Sequence, residues 1–255
     1  MSERVTTTVE DGVLVITLNR PEARNAINLE TAEVLAAALD RLNDDDSLRL
    51  GVLTGAGGTF CSGMDLKAFA ATGQRPYVGD RGFGGLCAAP PAKPLIAAVE
   101  GFAVAGGCEL ALACDMIVAA DNAHFGLPEV KRGLVPGSCG MLRLPRHIPY
   151  HIAMEWVLTG DAVTAQRAYE VGLVNRLVSP GQALEGALAL ARSVAANGPM
   201  AVRIAKQVVT QSGDWSVGEM FDRQRPMIAP VFESVDAREG ARAFAEKRAP
   251  VWQGR

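Results

Sequence analysis

The chain of 255 residues carries 25 Lys plus Arg against 28 Asp plus Glu, which gives a formal net charge of −3. This charge balance excludes a nucleic-acid partner held by phosphate neutralisation, because such binding needs a basic surface. The hydrophobic content of 49% excludes long disorder, and a chain of this length buries a core without disulfides or a structural metal.

The cysteines predict a reducing, cytoplasmic compartment. There are five of them, an odd number without C-x-x-C spacing, so we expect buried free thiols. The first residues lack the apolar stretch of a secretory signal. The most apolar segment, 102–120, contains Glu109 and Asp115, and two carboxylates make a membrane span costly. We therefore predict no membrane association.

Strands alternate with helices in the first part of the chain. β-Branched and apolar runs predict strands over 13–18, 50–54, 94–99 and 116–119. Helical spacing predicts helices over 29–42, with Asn28 as N-cap, and over 108–114. This alternation is typical of an α/β fold with a largely parallel sheet.

The remainder of the chain predicts helices, beginning near Pro149. Thr164 is the expected N-cap of a helix over 165–171, and Ser216 with Glu219 has the spacing of a capping box for a helix that continues toward residue 232. Residues 70–92 are rich in Gly, Ala and Pro, which predicts a long surface loop or mobile flap.

Several common catalytic motifs are missing. Residues 55–60 lack the last glycine of a dinucleotide fingerprint, no Gly-Lys-Ser/Thr phosphate loop occurs, and Ser138 is not in a G-x-S-x-G elbow. His147 and His151 are four residues apart, but Pro149 lies between them and no metal site is predicted. Carboxylates and backbone groups remain the candidates for chemistry.

Three segments have the character of a site. Residues 60–67 follow a strand and a glycine-rich turn, so N–H groups after Gly63 could face a cleft. In 100–110 two adjacent glycines open a helix, whose unpaired N–H groups suit a developing oxyanion. Glu109 lies in that helix among apolar neighbours, where a carboxylate is costly unless it is used or paired. Glu129 follows a proline, and its spacing alone fits a surface residue.

Together these segments resemble the crotonase superfamily, and most closely its enoyl-CoA hydratase branch. The resemblance runs nearly end to end. It rests on the ordered set Ile16-Thr17-Leu18-Asn19-Arg20-Pro21, Asn25-Ala26, Gly63-Met64-Asp65-Leu66, Gly106-Gly107-Cys108-Glu109-Leu110-Ala111, Phe125-Gly126-Leu127-Pro128-Glu129, Leu158-Thr159-Gly160, Gly172-Leu173-Val174 and Glu239-Gly240 with Ala243 to Arg248.

The resemblance implies an α/β fold: a spiral of ββα units over 1–195 that holds an acyl-CoA site, then a helical trimerisation region over 196–255. It implies a homotrimer or a dimer of trimers, and an acyl-CoA substrate in fatty-acid or acyl-CoA metabolism. No cofactor is implied beyond coenzyme A as part of the substrate, and no metal.

The resemblance also implies the roles of individual residues. The backbone N–H groups of Met64 and Gly106 would hold the thioester oxygen. Glu109 would orient and activate water, and Glu129 would exchange the proton at Cα. Two carboxylates around one water resist ionising together, so at least one should have a raised pKa. Further substrate or coenzyme A contacts would come from Asp65, Leu66, Lys67, Gly137, Arg24 and Lys247.

The substrate and the reaction leave alternatives open. The run from Cys139 to Arg146 departs from the family pattern and, with the C-terminal Val251 to Arg255, is similar to the carnitinyl-CoA dehydratase subgroup. A Δ3-Δ2 enoyl-CoA isomerase needs essentially one base. A non-catalytic acyl-CoA-binding protein has no need of both glutamates, so their presence weighs against it. Met64 stands where the family usually has a small residue.

Overall fold

The computed structural model, which describes residues 4–255, alternates strands with helices before it ends in helices alone. The strands are β1 Val5–Glu10, β2 Val13–Leu18, β3 Leu50–Gly55, β4 Leu95–Val99, β5 Phe102–Val104, β6 Met116–Ala120, β7 His124–Gly126, β8 Val163–Thr164 and β9 Arg176–Val178. The helices are α1 Leu29–Asp44, α2 Leu66–Thr72, α3 Gly106–Ala113, α4 Gly140–His147, α5 Tyr150–Thr159, α6 Ala165–Glu170, α7 Ala183–Ala195, α8 Pro199–Ser212, α9 Met220–Glu233 and α10 Val235–Glu246, with short 3₁₀ helices at Pro21–Ala23, Gly79–Arg81 and Pro128–Arg132.

The main sheet has the strand order β1-β2-β3-β4-β6-β9. Only β1 is antiparallel to its neighbour; the other pairs are parallel, which confirms the predicted largely parallel sheet. Each of the four predicted strands is present. In such a sheet, ligands bind beyond the carboxyl ends of the strands.

Both faces of this sheet are covered, and the alternation along β2 explains how. Val13 and Val15 belong to a buried cluster with Ala187 of α7. Leu14 and Ile16 point the other way, into the larger core that includes the inner side of α1. Neighbouring residues of a strand face opposite sides, so the apolar run of β2 is the sequence of a strand buried on both faces.

A second, smaller sheet has the order β5-β7-β8. β5 and β7 are parallel, with Val104 opposite Gly126, and the N–H of Ala105 donates to the carbonyl of Gly126 at 2.9 Å. The sequence analysis did not predict these three short strands. They fix the relative positions of the two segments that follow them, α3 and the 3₁₀ helix 128–132.

The segment 70–92 is a surface loop, as predicted, over most of 71–80, but residues 83–87 are buried. Phe83, Leu86 and Cys87 are buried in the main core. The chain around Gly85 packs so closely on α1 that a Cβ there would lie 2.6 Å from the Cβ of Ala36. Apolar side chains in a segment rich in small residues anchor it against α1.

The C-terminal helices begin slightly differently from the prediction. The N-terminus of α9 lies at Met220, and the hydroxyl of Ser216 donates to the carboxylate of Glu219 instead of accepting a backbone N–H as a capping box requires. An additional turn, in which the N–H of Met220 donates to the carbonyl of Ser216, separates the two. The division at 195/196 stays a prediction; α7 ends at Ala195 and α8 begins at Pro199.

The five cysteines are free, and all except Cys139 are buried, as the sequence predicted. Across residues 4–255, no helix is long and apolar enough to cross a membrane. Within the same range, no three or more His, Cys, Asp or Glu side chains come together as a metal-binding group.

Candidate active site

Two backbone segments meet at the carboxyl ends of the parallel strands. Cys61 pairs with Ala103 through an isolated β-bridge. A Cβ on Gly107 would lie 2.1 Å from the carbonyl oxygen of Cys61, and a Cβ on Gly63 would lie 3.1 Å from the nitrogen of Gly106. These glycines are therefore required for the close approach that brings residue 64 next to residue 106.

Two N–H groups at this junction have no acceptor among residues 4–255. The residues on either side of Met64 both bond to Ile27. The N–H of Ile27 donates to the carbonyl of Gly63, and the carbonyl of Ile27 accepts the N–H of Asp65. Within the part of the chain that the structure describes, the N–H groups of Met64 and Gly106 donate to no protein atom. Gly106 opens α3, so its N–H is one of the unpaired donors at a helix N-terminus.

Backbone strain lies directly beside one of these donors. Ala105 precedes Gly106 and has φ +52° and ψ −129°, which side-chain-bearing residues rarely adopt. Strained backbone of this kind costs about 1–3 kcal/mol and persists only where the surroundings enforce it. Here the pairing of β5 with β7 enforces it and turns the chain sharply into α3.

Glu109 is buried in the first turn of α3, with 3% of its surface exposed. Its Oε1 atom accepts the N–H of Ser138 at 2.6 Å and the N–H of Gly140 at 2.9 Å. Burial and, to a smaller extent, the charge of Glu129 raise the pKa of Glu109 to about 7, although the two N–H donors and the Ser138 side chain act to lower it. This carboxyl group can therefore gain or lose a proton near neutral pH.

Glu129 lies in the 3₁₀ helix 128–132, which follows β7. Its Oε2 atom is buried and has no hydrogen-bond partner among the described residues. Burial raises the pKa of this carboxyl group as well. A buried, unpaired carboxylate oxygen is costly to the fold, and in native structures a catalytic role is one explanation for such a group.

The small sheet places the segments that carry the two glutamates side by side, and the charge of Glu129 raises the pKa of Glu109. Val104 and Gly126 are register partners in β5 and β7, and Glu109 and Glu129 follow these strands. The helix that begins at Gly140 closes the same space: a Cβ there would lie 3.0 Å from the Oε1 atom of Glu109. Glu109 is buried, and the Oε2 atom of the half-buried Glu129 is buried as well.

Polar side chains stabilise the loop that carries Met64. The side-chain amide of Asn25, itself buried, donates to the carbonyls of Ala56 and Thr59. Arg20 forms an ion pair with Asp65 at 2.8 Å, and Asp65 also caps α2 by accepting the N–H of Ala68. The predicted substrate-contact residue Asp65 thus has its carboxylate engaged within the protein.

The other predicted contact residues lie at two separate places. Leu66 and Lys67 are exposed at the start of α2, and Arg24 is exposed where its carbonyl accepts the N–H of Ser62. Lys247 is exposed at the end of α10, with no ion pair in the described chain. Over residues 4–255, no hydrogen bond or ion pair joins Lys247 to Glu109 or Glu129. Gly137 is exposed next to Ser138 and does not bond to Glu109.

Sequence reasoning missed the groups that hold Glu109. The donors are the N–H groups of Ser138 and Gly140, with Cys139 between them at φ +77°. Backbone N–H groups leave no mark on composition or periodicity. The glycines around this loop were the one available signal, because a Cβ at Gly140 would make a tight contact of 3.0 Å with Glu109.

Comparison with known proteins identifies the class to which this fold and site belong. The family model described as enoyl-CoA hydratase/isomerase matches residues 8–255. The chain therefore belongs to the enoyl-CoA hydratase/isomerase family, the family that the sequence motifs indicated.

Similar proteins carry two kinds of name. A carnitinyl-CoA dehydratase of Proteus mirabilis is 43% identical over 263 residues, covering all of both chains. The enoyl-CoA hydratase EchA19 of Mycobacterium tuberculosis is 43% identical over 248 residues, which is 95% of this chain and 93% of that protein. The crystal structure of the enoyl-CoA hydratase EchA1 from Mycobacterium marinum matches with a TM-score of 0.97 at 55% identity over 99% of both chains.

Proposed function

We propose that the protein catalyses the reversible addition of water to a 2-enoyl-CoA thioester, which gives a 3-hydroxyacyl-CoA. The observation that carries this proposal is the pair of carboxyl groups of Glu109 and Glu129, both with raised pKa values, beside two backbone N–H groups that lack acceptors in the described chain. A binding protein has no need of such a pair, whereas hydration needs both a base and an acid.

The N–H groups of Met64 and Gly106 serve as the oxyanion hole in this proposal. Attack of water on Cβ moves negative charge onto the thioester oxygen. Two fixed donors stabilise that charge, and they need not reorganise during the reaction. Support comes from their lack of an acceptor among the residues that the structure describes, and from the glycines that keep the two backbone segments in contact.

The two glutamates divide the proton transfers. Glu109, as a carboxylate, takes a proton from water while the water oxygen bonds to Cβ, and Glu129, as a carboxylic acid, gives a proton to Cα. One proton is held by the pair at the start and one at the end, so dehydration runs through the same residues in reverse. The two N–H donors on Glu109 orient its carboxylate toward the water.

Coenzyme A binding is proposed for the segment from Met64 to Lys67, with cations for the phosphates. Lys67 and Arg24 are exposed near the oxyanion loop. Lys247 lies in the C-terminal region, and we propose that it reaches the nucleotide bound by a neighbouring subunit. Gly137 is proposed to line the water site. No cofactor other than the coenzyme A of the substrate takes part, and no metal ion.

Carnitinyl-CoA dehydration is the second candidate. The observation that favours it is the 43% identity with the Proteus mirabilis carnitinyl-CoA dehydratase over the full length of both chains. The same acid and base serve both reactions, so the two candidates differ in the acyl group and not in the chemistry. A Δ3-Δ2 enoyl-CoA isomerase would use the same scaffold with one base.

The test is a panel of thioesters, with loss of the conjugated enoyl absorbance as the measurement and chromatography of the products. Crotonyl-CoA and medium-chain 2-enoyl-CoAs test hydration, a 3-enoyl-CoA tests isomerisation and a carnitine-type thioester tests the second candidate. No turnover of any 2-enoyl-CoA by the wild-type protein would overturn the proposal. Tight acyl-CoA binding without turnover across the panel would instead identify a non-catalytic binding protein.

The pH dependence of kcat/KM is expected to be bell-shaped, because one shared proton is required. Below the lower pKa of the pair both groups are protonated and no base remains; above the higher one both are ionised and no acid remains for Cα. The pKa of about 7 for Glu109 includes repulsion by ionised Glu129, so it describes the loss of the last proton from the pair, and turnover uses the form in which that proton is on Glu129. We expect kcat/KM to fall above about pH 7 and to fall again in acid, measured in buffers of constant ionic strength. A flat profile from pH 5 to 9 would contradict this assignment.

We propose a cytoplasmic homotrimer or dimer of trimers. Support comes from large apolar side chains that are exposed on α8 to α10, including Val209, Phe221, Phe232 and Phe244; isolated chains rarely expose so many. The free cysteines suit a reducing compartment. Light scattering after size-exclusion chromatography is expected to give three or six times the mass of 26.9 kDa, and a monomer at working concentration would contradict the assembly.

The division into a spiral core over 1–195 and a C-terminal region over 196–255 belongs to the same proposal.

A further inference from the structure

An anchored hairpin over residues 76–84 carries two aromatic rings to the candidate site. Its strands meet where Tyr77 bridges Phe83 and where the N–H of Gly84 donates to the carbonyl of Pro76 at 2.9 Å. The rings of Tyr77 and Phe83 contact edge to face, with centroids 6.1 Å apart and an interplanar angle of 76°. At the outer end of the hairpin, Arg81 forms an ion pair with Asp40 of α1.

The two rings contact different parts of the site. Phe83 lies against Gly106, since a Cβ on that glycine would come within 2.4 Å of the ring. The hydroxyl of Tyr77 lies 2.9 Å from the Oγ atom of Ser138. Ser138 is buried and donates its N–H to Glu109. One hydroxyl therefore links the hairpin to the loop that holds the carboxylate.

That loop needs support from outside. Cys139, between the two N–H donors, has φ +77°, which disfavours its present conformation unless neighbouring contacts impose it. Its position in the loop also turns the N–H groups of Ser138 and Gly140 toward the same carboxylate oxygen. The bond from Tyr77 to Ser138 comes from a different part of the chain and is made by an anchored element, which is what positional accuracy requires.

We propose that Tyr77 is a positioning residue for Glu109: its hydroxyl holds the Oγ atom of Ser138, which keeps the backbone N–H groups of Ser138 and Gly140 on the carboxylate. This inference deepens the proposed function and rests on it for the role of Glu109. Tyr77 takes no proton itself. It acts through the two N–H donors and through the Ser138 side chain, which all favour the ionised carboxylate.

Tyr77→Phe removes the hydroxyl and keeps the ring against Phe83. We expect kcat for 2-enoyl-CoA hydration to fall about three- to tenfold, as for the loss of one neutral hydrogen bond, with KM changed less than twofold by comparison. Looser N–H donation favours the protonated carboxyl, so the limb of the kcat/KM profile near pH 7 should move to higher pH. The matched control is Tyr150→Phe, since Tyr150 is exposed on α5 and its hydroxyl has no partner in the described chain.

A double-mutant cycle with Ser138→Ala tests the path of the effect. This substitution removes Oγ and keeps the N–H, so Tyr77→Phe should have no further effect on kcat in its background. Three results would each overturn the proposal. The effects of the two substitutions on kcat could multiply, the limb of the kcat/KM profile near pH 7 could stay in place in Tyr77→Phe, or only KM could change. A fall in the unfolding temperature with an unmoved limb would identify a merely structural tyrosine.

Infrared titration separates this inference from the proposed function. The protonated carboxyl C=O stretch of Glu109 is obtained from wild-type minus Glu109→Gln spectra, without substrate. Its midpoint should rise in Tyr77→Phe and stay unchanged in Tyr150→Phe. If the wild-type protein turned over no thioester, the proposed function would fail while this titration still decided the role of Tyr77.

Discussion

Glu109→Gln is expected to lower kcat for crotonyl-CoA hydration about 10²–10⁴-fold, the usual contribution of a general base. The amide oxygen of glutamine can still accept the N–H groups of Ser138 and Gly140, which bond to Oε1 in the wild-type protein. Geometry and volume are thus conserved, and the lost property is the ability to take a proton from water. Assays that follow the enoyl absorbance with excess enzyme measure the rate over this range.

The stability of the same variant shows whether lost activity reflects lost structure. In the wild-type protein the pKa of Glu109 is raised from 4.5 to about 7 by folding, so the folded state binds more protons than the unfolded state in that interval. The wild-type free energy of unfolding therefore falls as pH rises from about 4.5 to 7. Glutamine does not titrate, so the unfolding temperature of Glu109→Gln at pH 8 should be at least as high as that of the wild-type protein. A variant that keeps more than a tenth of wild-type kcat would remove Glu109 from the mechanism.

The same substitution separates hydration from isomerisation. Glu109→Gln should abolish hydration, whereas double-bond migration in a 3-enoyl-CoA needs one base and could proceed through Glu129. Glu129→Gln is the reciprocal variant, because the buried Oε2 atom of Glu129 has no hydrogen-bond partner to lose within residues 4–255. If wild-type protein converts only the 3-enoyl-CoA of the thioester panel, the isomerase assignment replaces the hydratase one.

The part of the site that could be predicted from sequence is the part with unusual composition. Glu109 stands among apolar residues of one short helix, so the amino-acid sequence by itself indicated a buried carboxylate. The strands β2, β3, β4 and β6 were evident because β-branched and apolar residues form uninterrupted runs in a sheet covered on both faces. Glu129 needed the family resemblance, since its neighbours in sequence fit a surface turn equally well.

The rest depends on contacts between distant segments. β5 and β7 are three residues each, too short for periodicity, yet their register brings Glu109 and Glu129 together. The donors on Glu109 are backbone N–H groups, which every residue except proline has. The segment 70–92 looked mobile by composition, but a few residues such as Phe83 and Leu86 anchor it. Local composition does not predict that a segment is anchored when its few apolar side chains all pack into the core.

Gly63→Ala is expected to lower kcat about 10²–10³-fold, the cost of disturbing an oxyanion hole. A Cβ on Gly63 would lie 2.9 Å from the Cβ of Ala105 and 3.1 Å from the nitrogen of Gly106. To admit it, the segment that carries Met64 must move away from the N-terminus of α3. The two N–H groups then cannot both face one oxygen, although both glutamates are untouched.

The control for backbone strain is Gly73→Ala. Both glycines have φ in the left-handed region, +94° for Gly63 and +68° for Gly73, so alanine costs about 1–2 kcal/mol of stability at either position. A Cβ on Gly73, the C-cap of α2, would contact nothing within 4 Å. Gly73→Ala should therefore lower the unfolding temperature and leave kcat within about twofold of wild type, whereas Gly63→Ala should lower both. Equal effects of the two variants on kcat would mean that strain, and not the spacing of the Met64 and Gly106 N–H groups, limits turnover.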